Sequence, residues 1–353
     1  MIEKWKKQLA SRIAPIDKAA VSETQRKWDS IAKPLHSLGK LEDLLIKIAG
    51  IQKSPLIDID KKALIIMCAD NGVVEEGVTQ TGQEVTAIVA ENFLDAKSCA
   101  AIMCRQAGCD IVPVDIGMAV DTPRVEKRKI AYGTKNFAKE PAMSRQQAVD
   151  AITVGIEKAK ELSASGYRIL ATGEMGIGNT TTSSAVLACL LEVDPVEVTG
   201  RGAGLDSAGL DRKVSVIRNA LAMHQPDPND VIDVLSKVGG FDIAGLAGVF
   251  LGGAICGMPV IADGFISIVA ALCAVRLVPG CKDYILVSHM SDEPGTVAAM
   301  EALGDYPILH AGMHLGEGTG AVALFPLLDM AAEIYHRMST FSEIEVEQYE
   351  EYK

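Results

Sequence analysis

The chain has 353 residues, enough to bury one large core with a smaller companion, and 48% of them are apolar while only 5% are aromatic. Its 34 Lys and Arg against 46 Asp and Glu leave a formal charge of −12. That balance excludes nucleic acid or an anionic membrane as the main partner, since either needs a basic face, and any anionic substrate must be met by local Lys, Arg or backbone N–H groups.

The chain opens on amphipathic helices, Ile2–Ile13, Lys18–Ile31 and, past a break at Pro34, Leu38–Ile48. The first residues, Met-Ile-Glu-Lys-Trp-Lys-Lys, lack the apolar core of a signal peptide, so a cytoplasmic protein is expected. After a linker over residues 52–62 the grammar changes. Ala63–Cys68 is an apolar run short enough for a strand buried on both faces, and Ala69-Asp70-Asn71-Gly72 follows as a loop. A helix over Glu84–Ala107 and a strand over Asp110–Asp115 come next, then a polar excursion with room for a strand at Arg128–Tyr132. The helix Ser144–Ser165, the strand Tyr167–Thr172 and the helix Thr180–Glu192 continue the series, with helices Arg212–His224 and Asp230–Val238 beyond.

Ile243–Ala262 carries no charge for twenty residues, the length of a membrane span. Its glycines and Pro259 break it, and a helix to about Cys256 with a short buried strand over Pro259–Ala262 fits better. The helix Phe265–Val275, the strand Tyr284–Ser288, the helix Gly295–Leu303, a glycine turn over residues 312–321 and a helix Val322–Met338 complete the chain.

Strand, loop and helix repeated at this spacing predict an α/β fold, a Rossmann-like parallel sheet with helices on both faces. Residues 61–324 are expected to form it. Residues 1–60 and 325–353 fall outside the alternation and are expected to pair as a small helical domain. In parallel sheets ligands collect outside the carboxyl ends of the strands, which places the loops after Cys68, Thr172, Ala262 and Ser288 on one rim.

On that rim, Gly173-Glu174-Met175-Gly176-Ile177-Gly178-Asn179-Thr180 runs into a predicted helix. The dinucleotide fingerprint is absent, because the spacing is Gly-x-x-Gly-x-Gly, and Asn179 stands where a triphosphate-binding loop has its Lys. What remains is a glycine turn whose N–H groups suit a phosphate, with Asn179 and threonine hydroxyls as further donors. Glu174 beside a phosphate site points to a cationic part of the ligand or reaction. Glu317, alone in Gly312-Met313-His314-Leu315-Gly316-Glu317-Gly318-Thr319-Gly320-Ala321, is a second rim carboxylate at a helix start. Two such acids handle a proton and developing positive charge at glycosidic carbons.

Gly202 lies in a second glycine loop, and either Arg201 or Lys213 is placed to neutralise a phosphate; spacing alone favours a solvated helix face for Lys213. Asp263 and Ser291 each follow a predicted strand, where they either hold a ligand or cap a helix. The eight cysteines show no Cys-x-x-Cys pair and read as buried free thiols. His310 and His314 are four apart without an accompanying Glu-x-x-His, so no metal site is expected.

Together the motifs at 173–181 and 314–321 resemble those of the nicotinate-nucleotide:5,6-dimethylbenzimidazole phosphoribosyltransferase family, as do residues 69–78 and 261–264. The resemblance covers nearly the whole chain. It implies transfer of phosphoribose from nicotinate mononucleotide to a lower-ligand base, with inversion at the anomeric carbon, for the nucleotide loop of cobamides. A phenol- or p-cresol-specific relative, or a weakly active partner in a heterodimer of two similar chains, is the alternative. No metal or cofactor is implied.

The resemblance also assigns roles. Glu317 is the general base and Glu174 stabilises positive charge at the ribosyl carbon. Gly176, Ile177, Gly178, Asn179, Thr180 and Lys213 hold the phosphate, Asp263 and Ser291 lie near the nucleotide, and Met175 and Gly202 are further substrate-binding residues. Gln80, Thr81, Leu315 and Gly316 border the base. A homodimer is implied. Asn71 stands where the family pattern has His, and Thr79-Gln80-Thr81 lacks the aromatic residue often found beside the base.

Overall fold

The computed structural model describes residues 2–350. Six strands, β1 (Lys62–Ala69), β2 (Cys109–Gly117), β3 (Glu126–Lys127), β4 (Ile169–Met175), β5 (Val260–Ala262) and β6 (Ile285–Val287), form one sheet in the order β3-β2-β1-β4-β5-β6. Every pairing is parallel. The order reverses direction between β1 and β4, so their carboxyl ends open the crevice where a doubly wound sheet takes its ligand.

The central strand shows why both faces must be covered. All eight residues of β1 are buried, and its side chains alternate between two cores. Ala63, Ile65 and Met67 meet the face that includes helix Phe241–Cys256, while Leu64, Ile66 and Cys68 meet the face that includes helix Thr319–Arg337. Helix Phe241–Cys256 lies between the sheet and helix Arg145–Ala164, which explains its uncharged sequence. Among the described residues no helix is long and apolar enough to cross a membrane.

The terminal segments pack on each other and on the sheet. Ile31 and Thr340 form an antiparallel bridge, the Trp28 and Tyr335 rings lie 5.2 Å apart, and the Tyr335 hydroxyl donates to Pro55 O at 3.0 Å. Their buried side chains are continuous with Leu64 and Ile66 of β1, and helix Thr319–Arg337 runs unbroken through residues 324 and 325.

Several elements differ from the sequence expectation. The expected helix over 84–107 is two, Glu84–Leu94 and Cys99–Gln106, because Ala96 turns left-handed (φ 51°) and the Ser98 hydroxyl accepts from Ala101 N at 3.1 Å to start a new helix. No strand forms at Arg128–Tyr132; the pairing is confined to Glu126–Lys127. Helix Ser207–His224 starts five residues before Arg212, with Asp206 as its cap, accepting from Gly209 N at 2.7 Å. Most consequentially, β4 runs on through Gly173, Glu174 and Met175, whose sequence reads as loop.

Candidate active site

A cavity of about 860 Å³ opens at the carboxyl ends of the strands. Because Glu174 sits on β4 rather than in a loop, its Cα is fixed by pairing with Met67 of β1. The side chain is 7% exposed, and its Oε2 accepts from Asn179 Nδ2. Burial pushes the Glu174 carboxyl well above the usual range and the nearby Asp242 charge adds to this, while the Asn179 amide and the Glu317 backbone N–H oppose it.

The Glu317 turn is pressed directly against this strand end. A Cβ on Gly173 would lie 2.6 Å from Glu317 O, so only glycine there lets the two backbones meet. Gly316, at φ 85°, has no Cβ to collide with Glu174 Oε1, which would be 2.5 Å away. Glu317 itself adopts φ 60°, an uncommon state for a side chain of its kind. Asp263 holds the turn: Oδ1 accepts from Gly320 N at 2.7 Å and Ala321 N at 3.0 Å, and Oδ2 from Gly318 N at 3.2 Å. Those N–H groups belong to the first turn of helix Thr319–Arg337 and to the residue just before it, so Asp263 caps that helix from another element. The half-buried Glu317 carboxylate reaches Ala100 N, at 3.4 Å, at the start of helix Cys99–Gln106. Burial raises its affinity for a proton, the Ala100 N–H lowers it, and the Asp263 charge raises it again.

The glycine turn after β4 leads into helix Asn179–Leu191 through Gly178 at φ 93°. It is tied down by a relay in which Ile177 N donates to Thr86 Oγ1 at 3.2 Å and Thr86 donates to Asp70 Oδ1 at 2.6 Å. Lys213 is 0% exposed, and its Nζ donates to Thr180 Oγ1 at 2.8 Å and Gly200 O at 3.0 Å. The solvated-face expectation therefore fails: Asp206 starts the helix early and turns Lys213 inward. Burial lowers the Lys213 pKa to about 8, with the Glu293 charge opposing. Arg201 spends its guanidinium on its own loop, at Leu205 O and Ser207 Oγ, whereas Lys213 is the lysine bonded to the glycine turn after β4.

A family model described as Phosphoribosyltransferase matches residues 13–346. The chain is 50% identical over 345 residues to the nicotinate-nucleotide–dimethylbenzimidazole phosphoribosyltransferase of Acetivibrio thermocellus, covering 97% of this chain and 98% of that protein. The enzyme of the same name from Chloroflexus aggregans is 46% identical over 347 residues, 98% of each chain. The chain belongs to the nicotinate-nucleotide–dimethylbenzimidazole phosphoribosyltransferase family. In three dimensions it resembles the crystal structure of CobT from Thermus thermophilus, with a TM-score of 0.89 at 37% identity over 94% of this chain and 100% of that one.

Within this family's fold the residues singled out from sequence gather in one place. Gln80, Thr81, Glu174 to Thr180, Gly202, Asp263, Ser291 and Leu315 to Glu317 all border the cavity, and Lys213 lies just beneath it through Thr180. Gln80 donates to Gly204 O, joining the 79–82 loop to the 200–205 loop across the opening. Asn71 is not at the cavity. It is wholly buried beneath the glycine turn after β4, with Nδ2 donating to Ile177 O at 3.4 Å, so the residue that stands in place of the expected His packs against that turn.

Sequence reading passes over Glu293, His289 and Asp242. Glu293 and His289 border the cavity, and the Ser-Asp-Glu-Pro-Gly turn at residues 291–295 is the available signal for the former. Asp242 is wholly buried below Gly176, and nothing in an apolar helix marks it. Cys99 is exposed at the cavity wall and Cys256 is half-buried, against the expectation of buried thiols; the other six cysteines are buried, and all eight are free. Among the described residues no group of three His, Cys, Asp or Glu side chains is placed to hold a metal.

Proposed function

We propose that the cavity is the seat of phosphoribosyl transfer from nicotinate mononucleotide to 5,6-dimethylbenzimidazole, giving α-ribazole 5′-phosphate and nicotinate. The observation that carries this reading is the contact between the Glu317 turn and the strand end bearing Glu174, beside a phosphate-type turn with a buried lysine. The relatives from Acetivibrio and Chloroflexus bear the dimethylbenzimidazole name, which does not favour the phenol- or p-cresol-specific alternative.

Nicotinate leaves from a pyridinium, so the departing group needs no proton, whereas the attacking base loses one. A ring nitrogen of that base attacks the ribosyl C1′ from the face opposite nicotinate, the C1′–N bond to nicotinate breaks with its electron pair, and the configuration inverts. The N–H proton passes to Glu317, whose raised proton affinity suits a general base. Glu174 faces the charge that grows at C1′. In the free protein burial raises the proton affinity of Glu174, and a cationic nucleotide would favour its ionised form. Lys213, Thr180, Gly202 and the turn from Met175 to Asn179 receive the phosphate, with Ser291 and Asp263 along the nucleotide. Leu315 and Gly316, with Gln80 and Thr81, border the base.

The same reading makes residues 1–60 and 325–353 a small helical domain beside the 61–324 catalytic domain, and makes the working form a cytoplasmic homodimer. The deciding experiment incubates the purified chain with nicotinate mononucleotide and a panel of benzimidazoles, purines and phenols, and measures α-ribosides. Product with 5,6-dimethylbenzimidazole is expected; absence of product with every base at high enzyme concentration would overturn the reading.

A further inference from the structure

Glu293 takes no part in that chemistry. It follows β6 in the turn that leads into helix Gly295–Leu303, borders the cavity, and stands near Lys213 without an ion pair to it. Its Oε2 is buried with no hydrogen-bond partner. That oxygen is turned in against Gly200, where any Cβ would collide with it, so the glycine is what admits the carboxylate. A buried acceptor with no donor is costly, on the order of 1–3 kcal/mol, and a ligand that supplies the donor recovers that cost on binding.

The proposed substrate narrows which donor that is. The nicotinate carboxylate and the pyridinium ring carry no N–H or O–H, and a phosphate dianion carries none either. The donors left on nicotinate mononucleotide are its two ribose hydroxyls. Lys213 and the Thr180 turn mark the phosphate end, and Glu293 packs against Gly200, whose carbonyl oxygen accepts from Lys213.

We infer that Glu293 is a specificity residue that accepts a hydrogen bond from a ribose hydroxyl of the nucleotide. This rests on the phosphoribosyl reading above. It gives the carboxylate a reason to stand near a phosphate that would otherwise repel it, and it makes the site select ribonucleotides over deoxyribonucleotides.

The test measures dissociation constants of nicotinate mononucleotide and its 2′-deoxy and 3′-deoxy forms by calorimetry, for the wild type, Glu293→Ala and Glu293→Gln. In the wild type one of the two deoxy forms is expected to bind about tenfold to a hundredfold more weakly than the parent, the scale of a hydrogen bond to a charged acceptor. In Glu293→Ala that penalty should shrink below about threefold. Glu293→Gln, which keeps the volume and an uncharged acceptor, should fall between. Equal binding of parent and both deoxy forms by the wild type overturns the inference, as does an undiminished penalty in both variants. A variant that weakens all three ligands alike would make Glu293 only a counter-charge for Lys213 and overturn it too. Failure of the phosphoribosyl reading looks different: the wild type then binds no nicotinate mononucleotide at all.

Discussion

At the scale of the residue, the site works by placing charges where water cannot screen them, and the roles assigned to them predict distinct losses. On the proposed mechanism Glu317 takes the proton, so Glu317→Gln should lower kcat for α-ribazole phosphate formation by about a hundredfold or more while nucleotide binding holds. Steady-state kinetics with both substrates varied check this, and wild-type turnover would remove Glu317 from its role. In the same mechanism Lys213 acts through its charge, and that charge is vulnerable. With a pKa lowered to about 8 in the free protein, the ammonium is lost as pH rises through that value, and with it the attraction for phosphate. The KM for nicotinate mononucleotide is therefore expected to climb above about pH 8. Lys213→Arg, which stays protonated, should move that rise to higher pH or abolish it, whatever it does to kcat. An identical alkaline limb in both enzymes would show that another group titrates there.

Elements decide which of these residues meet. The Glu317 turn is not held by its own side chain but by Asp263, which gathers three N–H groups at the start of helix Thr319–Arg337. An asparagine there keeps one acceptor for Gly320 and Ala321 but presents an amide nitrogen to the Gly318 N–H, and it removes the negative charge from a helix amino terminus. Asp263→Asn should accordingly cost about 1–3 kcal/mol of stability and lower kcat more than it raises the nucleotide KM. Denaturation curves and kinetics on the same preparation test this; unchanged kcat with lowered stability would confine Asp263 to the helix.

The same element shows how far sequence can reach. The glycines around Glu317 announce a turn into a helix, and the turn is there, because φ values near 60–90° and a close approach are written into residue type. The carboxylate that caps it, more than fifty residues earlier in the chain, reads only as a ligand group or a cap, since a cap from another element leaves no local spacing. Glu174 reads as loop because glycine and a charged residue argue against strand, and pairing with β1 overrides that preference. Lys213 misleads for a related reason: a lysine on an amphipathic helix is ordinarily solvated, and only the packing of that helix over Gly200 and Thr180 shows otherwise. The order of the strands is likewise beyond local pattern, although the alternation of strand and helix is enough to name the fold.

At the scale of the molecule, the carboxyl ends of β1 and β4 gather buried carboxylates, with the Lys129 charge opposing burial only in part at Asp70. Asp70, Glu174 and Asp242 all have proton affinities raised by burial. Ionising such a cluster destabilises the fold, and its signature is in the dependence of stability on pH. Asp242 is the clearest case, wholly buried, with Oδ2 lacking a partner and a pKa raised from 3.8 to about 7. The folded state binds the Asp242 proton more tightly than the unfolded chain does. Its contribution to stability is thus fully present below about pH 4 and is lost as pH rises through about 7. Asp242→Asn, which mimics the neutral form at every pH, should have its smallest effect on the thermal midpoint near pH 5. By pH 8 the variant should be the more stable of the two, and the gap should open between those values. Lys213 begins to titrate at the upper edge of that window but is common to both proteins, and the exposed carboxylates held down by Arg and Lys, such as Asp95 at about 2, titrate below it, so the difference between the two proteins reports Asp242. Parallel melting curves for wild type and Asp242→Asn from pH 5 to 8 would show that Asp242 keeps one charge state throughout, and the buried acids would then have to be satisfied by donors outside this cluster.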